Sequence, residues 1–265
     1  VNKILSSSLF ISISSLFLMI SSVKASTIVL YDQDFENPNG FVDTSGGDVS
    51  QQSVNSLYGN QPVGFSFSQR FTVETLLITG NNAFGTGYSD PTGVGGNYAL
   101  GMLAGSSISG GQDDLLGLAF NVGDNDFLNV RLDISSIDLD RLRGPFLPTA
   151  GALPVFEFTL FDNPSGALGT GSGLILSSQQ VSGSISDRSV FDWTEVLLAL
   201  DASASTNGNV ILRIDLLSGN YAAFDNLRIV ASNTPGDVGK AIPEPASALA
   251  CCVFGMGLLV SRIKA

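Results

Sequence analysis

Carboxylates, hydroxyls, phenols and guanidinium groups are the whole reactive inventory of this chain's central part. The 265-residue sequence has no histidine, and no lysine stands between Lys24 and Lys240. Without histidine there is no Ser-His-Asp or Cys-His machinery and no His-ligated zinc or iron site. Without lysine there is no Schiff-base nucleophile and no P-loop ammonium. Two arrangements with chemistry remain. Asp34 and Glu36 lie near the start of the body and Asp225 near its end. If the first and last strands pair, these oxygens meet, and convergent hard oxygen donors are what calcium requires. Solvated acids at strand ends are the plain alternative. Tyr58 and Tyr88 lie in Asn- or Gly-rich stretches, where exposed phenols can stack on sugar rings. Scattered surface aromatics are the alternative there.

Carboxylate catalysis has little to work with. The body contains four glutamates, Glu36, Glu74, Glu157 and Glu195. Glycoside hydrolysis needs two carboxyls held about 5 or 6.5–9.5 Å apart. Glu157 is followed by Phe158, Thr159, Leu160 and Phe161, so no run of acids on one strand supplies such a pair. The expected protein is therefore non-enzymatic. A secreted carboxylate-dependent glycoside hydrolase or lyase, and a purely structural matrix protein without ligand, stay open as alternatives.

The elements that must position these groups are strands. Residues 26–232 read as short apolar-alternating runs separated by Gly, Asn, Asp and Ser, the pattern of an all-β fold. In residues 155–161, Phe156, Phe158 and Leu160 fall on one face and Glu157 and Thr159 on the other. Residues 193–200 are long enough for a short helix as well. The glycine clusters at residues 85–96 and 166–173 read as flexible hairpin loops. The prediction is a single, jelly-roll-like β-sandwich, flanked by an N-terminal signal helix and a short C-terminal transmembrane helix. Asp34-Phe35-Glu36-Asn37-Pro38 and Phe224-Asp225-Asn226-Leu227-Arg228-Ile229 are similar to the edge segments of galactose-binding-like jelly rolls found in many carbohydrate-binding modules. That resemblance implies a structural calcium held by Glu36 and Asp225 with Asp34, and an association with carbohydrate.

The formal net charge is -12, with a sequence pI ≈ 4.1. A body this acidic repels phosphate backbones and excludes nucleic acid as a partner. The only cysteines, Cys251 and Cys252, lie in the last apolar run, so the body carries no disulfide. Residues 1–25 have the form of a signal peptide: Lys3, a Ser-rich apolar stretch, then Val23-Lys24-Ala25. Residues 233–242 read as a linker. Residues 243–265 begin with Pro243-Glu244-Pro245, continue through an apolar run at 246–260, and finish with Arg262 and Lys264. This segment resembles the PEP-CTERM sorting signal of Gram-negative bacteria. The resemblance implies an exosortase-type processing enzyme that reads Pro243, Glu244 and Pro245. It also implies transient inner-membrane insertion and delivery to the cell surface, outer membrane or extracellular matrix, with exopolysaccharide as a partner. Replacing Pro243, Glu244 and Pro245 by alanine is expected to leave an uncleaved C-terminus in the membrane fraction, read by intact mass. Unchanged processing and location would show that the motif is inert.

Overall fold

The structure, a computed structural model, describes residues 27–44, 48–59, 64, 66–69, 73–81, 87–104, 113–137, 153–219 and 221–239. The expected signal segment (1–25), the sorting signal (243–265) and the last part of the linker lie outside the described residues. Among the described residues no helix is long and apolar enough to cross a membrane.

Twelve strands and one four-residue helix are formed among the described residues. In chain order they are β1 Ile28–Gln33, β2 Val49–Ser50, α1 Val54–Leu57, β3 Ser66–Gln69, β4 Glu74–Leu77, β5 Tyr98–Leu103 and β6 Leu115–Asn121. Then follow β7 Phe127–Ser136, β8 Val155–Asp162, β9 Ile175–Ser182, β10 Thr194–Asp201, β11 Asn209–Ser218 and β12 Tyr221–Ser232. A seven-stranded sheet runs β10-β7-β12-β5-β4-β2, with β1 also on β12, and a five-stranded sheet runs β3-β6-β11-β8-β9. Every pairing between these strands is antiparallel. From β5 onward every connection but the β8–β9 hairpin crosses between the two sheets, which gives a jelly-roll-like sandwich.

Period-two alternation builds the core between the sheets. Leu128, Val130, Leu132 and Ile134 of β7 face Phe156, Phe158 and Leu160 of β8 and Val210, Leu212, Ile214 and Leu216 of β11 in one buried cluster. Residues 194–200 of the ambiguous 193–200 run lie in strand β10. Val196, Leu198 and Leu200 are buried while Glu195 and Leu197 are exposed, and eight consecutive register pairs tie β10 to β7. That spacing is two rather than 3.6, and pairing against a buried partner decides it.

The stretch after β12 is stitched to the body instead of running free. The Asn129 Nδ2 group donates to Thr234 O and Asp237 O at 3.1 Å each, and Arg228 Nε donates to Val238 O at 2.8 Å. Residues 233–239 of the expected linker thus belong to the sandwich. Phe224 sits at its centre, edge-on to Phe35 at 6.0 Å and to Phe156 at 6.3 Å. Truncating a buried Phe loses transfer energy and leaves a cavity, so Phe224→Ala is expected to cost about 3–5 kcal/mol. Urea denaturation checks this; a cost below about 1 kcal/mol would mean that the core is not packed in this way.

Candidate functional site

β12 carries two partners on one edge. Its first half, Tyr221 to Phe224, pairs with β5, and Leu227 to Ala231 pair with β1. On the other edge β7 runs alongside both halves, and the register shifts between Asp225 and Arg228. Asn226 sits in this irregularity within β12 at φ 52, a conformation that Asn tolerates better than most residues. Its N–H donates to Asp225 Oδ1 at 2.7 Å, and its Nδ2 donates to Asp133 Oδ2 at 2.9 Å and to Val94 O at 3.2 Å.

The acidic residues singled out in the sequence converge at this break. Glu36 follows β1, and its carboxylate accepts from Asn97 N at 2.8 and 3.0 Å, from Asn97 Nδ2 at 2.9 Å and from Tyr98 N at 3.2 Å. It therefore ties the end of β1 to the start of β5. Asp34 Oδ1 accepts from Glu36 N at 3.1 Å. Asp225 is 1% exposed and stands opposite Asp133, which stands opposite Glu195, in one row across three strands. Burial pushes the Asp225 carboxyl up to about 9; the Asn226 N–H opposes this, and Glu36, Asp133 and Asp34 reinforce it. Burial raises Asp133 too, Asn226 opposes that shift, and the charge of Glu195 adds to it.

Oxygen donors of the kind calcium takes are present, but both oxygens of Glu36 are engaged by amide donors. Among the described residues no group of three or more His, Cys, Asp or Glu is arranged to hold a metal. Glu36, Asp34 and Asp225 form a junction tied by amide donors, with the Asp225 carboxyl raised by burial.

The tyrosines do not form an exposed platform. Tyr58 is 3% exposed, donates its hydroxyl to Phe35 O at 3.0 Å and packs edge-on to the Phe35 ring at 5.2 Å. The helix α1, with Val54 and Leu57 buried, delivers it to the core. So short a helix leaves no periodicity for the sequence to reveal. Tyr88 is half-buried against Phe191 at 5.5 Å, and Trp193 stacks on the same Phe191 ring at 5.3 Å and 7°. Burial raises both phenols. This aromatic ladder belongs to a second apolar cluster with Leu76, Ile78, Leu103 and Ala223 on the outer side of the seven-stranded sheet. Beside it Glu74 is buried, accepting from Tyr221 OH at 2.9 Å and Gln51 Nε2 at 3.2 Å. The Tyr221 hydroxyl reaches it across Gly101, where a Cβ would meet that oxygen at 2.7 Å. Burial raises the Glu74 carboxyl. This face is closed by its own side chains.

The outer face of the five-stranded sheet is different. One row across it reads Ser68, Gly117, Arg213, Thr159, Ser178, and the next reads Leu115, Asp215, Glu157, Gln180. Ser178 and Gln180 are exposed, and Glu157, Arg213 and Asp215 are half-buried. Gln180 Nε2 donates to Glu157 Oε1 at 3.1 Å, Thr159 and Ser178 share a bond at 3.2 Å, and the Arg213 guanidinium lies 4.9 Å from the Phe161 ring centre.

The glycine-rich β8–β9 connection lies across one side of this face as a strap. Gly117 permits the crossing, since a Cβ there would overlap the Gly169 carbonyl. Under the strap is a cleft of about 340 Å³, lined by Asp162, Asn163, Leu168, Thr170, Ser172 and Ile211 among others. Asp162 accepts from Thr206 Oγ1 at 2.6 Å, Thr206 N at 3.0 Å and Ser205 Oγ at 3.2 Å; these bonds, those from Thr206 first, hold its carboxyl below the usual range. The outward placing of Glu157 and Thr159 is legible in the sequence. Their assembly with Arg213, Asp215 and Gln180 depends on strand order and is not.

These observations define an all-β, two-sheet antiparallel sandwich. No family model matches the sequence, and no curated protein does. Similar solved structures include the K3 cleaved adhesin domain of Lys-gingipain from Porphyromonas gingivalis w83, at 10% identity and TM-score 0.36, covering 77% of this chain and 99% of that one. A xylan-binding domain from CBM 22 matches at 14% identity and TM-score 0.38, covering 78% and 97%. The C-terminal family 22 carbohydrate binding module of Clostridium thermocellum Xyn10B matches at 15% identity and TM-score 0.37, covering 81% and 97%.

Buried carboxyls in the junction and beside the second apolar cluster make stability depend on pH. Asp225, Asp133 and Glu74 have folded values raised above the unfolded ones, so the folded chain binds more protons. Their stabilisation is full below the ordinary carboxylate range and is lost as pH rises through the folded values. The melting temperature is expected to fall as pH rises from about 4 to about 9. Asp225→Asn should flatten that slope and melt higher than the parent at the alkaline end. A melting temperature independent of pH, or an unchanged slope in the variant, would contradict a protonated Asp225.

Proposed function

We propose that this chain is an exported, exosortase-processed protein of the cell envelope or extracellular matrix, non-enzymatic, whose sandwich binds glycan on the outer face of its five-stranded sheet. The sorting and export parts of this reading rest on the sequence of the two ends. The glycan part rests on one observation: the rows holding Arg213, Asp215, Glu157, Gln180, Thr159 and Ser178 beside the strap cleft. Guanidinium and amide donors alternate there with carboxylate and hydroxyl acceptors. A chain of sugar hydroxyls needs such a mixture, because each hydroxyl both donates and accepts. The acidity of the chain favours a neutral polysaccharide over an anionic one.

A second reading has its own observation. Glu157 and Asp215 stand directly opposite each other on β8 and β11, and two carboxylates on one face are what glycoside hydrolysis uses. One set of measurements separates the two. The purified chain is titrated with neutral and anionic polysaccharides, and the reducing ends released are counted. Binding to a neutral polysaccharide without cleavage is expected. Arg213→Ala and Glu157→Gln should each weaken it about tenfold, the loss of one hydrogen bond to a charged group. No binding, or binding indifferent to both variants, would refute the glycan face. Cleavage abolished by Glu157→Gln would establish the enzyme instead.

A further inference from the structure

We infer that β9 is the contact strand of a twofold dimer of this chain. β9 is an edge of the five-stranded sheet, paired to β8 alone among the described strands. An open edge presents unpaired backbone donors and acceptors, and proteins usually blunt it with charge, proline or shortness. The other edges are blunted. β2 has two residues and β3 four, β1 carries Asp32, and β10 carries Glu195 and Asp201. β9 has eight residues, Ile-Leu-Ser-Ser-Gln-Gln-Val-Ser, with no charge and no proline. No charged residue lies anywhere between Asp162 and Asp187. A register shift disturbs only the start of the strand, and Ser177 to Ser182 pair regularly with β8. Gln179 Nε2 donates to Ala199 O at 2.7 Å, so a side chain of β9 reaches β10, against which β9 packs, while no described strand pairs with the outer backbone edge of β9.

The occupant follows from charge and register. At a net charge of -12, two copies repel wherever their acids face each other, and this uncharged stretch is where they can approach. Ser177, Gln179 and Val181 stand opposite Leu160, Phe158 and Phe156, on the core side, and Ser178, Gln180 and Ser182 lie on the outer side. Antiparallel self-pairing keeps both faces matched when the twofold passes through a residue. Centred on Gln179, it sets Ser178 against Gln180 and Ser177 against Val181, pairs with no like charges. Leu174 and Ile175, 62% and 53% exposed, flank one end of the strand and Ile185, 55% exposed, follows the other. Antiparallel pairing brings one copy's first end to its mate's second end, covering apolar surface at both. The two five-stranded sheets then continue as one.

The test uses the full chain in mild detergent with Cys251 and Cys252 changed to Ser, which leaves no other cysteine. Facing residues of an antiparallel pair have Cα atoms about 4.5–5.5 Å apart, within the disulfide range of about 4.4–6.8 Å. Gln179→Cys should therefore give a covalent dimer under oxidation on a non-reducing gel. Leu197→Cys, on exposed β10, should stay a single chain. The parent should sediment at twice the mass of one chain. Ser178→Asp combined with Gln180→Asp sets carboxylates against each other across the twofold and should halve that mass, with the far-ultraviolet circular dichroism unchanged. A monomeric parent, equal cross-linking at position 197, or a dimer untouched by the paired aspartates would overturn the inference.

Discussion

The structure depends on a strand that must serve two partners along one edge. β12 is the longest strand, and β5 and β1 divide its edge between them. One straight ladder cannot accept both, because β5 ends its pairing where β1 begins. The register break at Asp225 and Asn226 solves this, and its by-products follow. The Asp225 carboxyl is buried beside Asp133, and desolvation among like charges pushes its pKa up. Glu36 closes the seam by gathering the amides of Asn97 and Tyr98. The loop before β5 is then seated where Val94 O meets Asn226 Nδ2.

From that seam the two sheets take different work. The seven-stranded sheet holds the chain together, and its outer side is filled by Tyr88, Phe191 and Trp193 and by the Glu74–Tyr221 pair. The five-stranded sheet carries polar groups on its outer side, with Arg213, Asp215, Glu157 and Gln180 brought side by side from three strands. Each set gathers residues from distant parts of the sequence. The strap over Gly117 gives the polar face a wall and a cleft.

Much of the fold is legible in the sequence because alternation has a physical cause that is local. β7, β8 and β11 each bury every second residue, and their apolar spacing states it plainly. The convergence of Glu36, Asp34 and Asp225 is legible too, since it needs only the pairing of the first and last strands. What escapes is set by packing between distant segments. Tyr58 reads as an exposed loop residue until α1 turns it toward Phe35. The glycines at 166–173 read as loose, yet Gly169 lies pressed against Gly117 of β6. The amide partners that Glu36 takes from residues 97 and 98 are likewise invisible in a linear motif.

In the proposed division of work one sheet holds the fold while the other presents a glycan-binding face. Nuclear magnetic resonance shift mapping with a neutral oligosaccharide tests it most directly. The account predicts perturbations confined to the outward residues of β8, β9 and β11 and to the strap, centred on Glu157, Arg213 and Gln180. Perturbations centred instead on Tyr88, Trp193 and the outer side of the seven-stranded sheet, or none at saturating sugar, would contradict it.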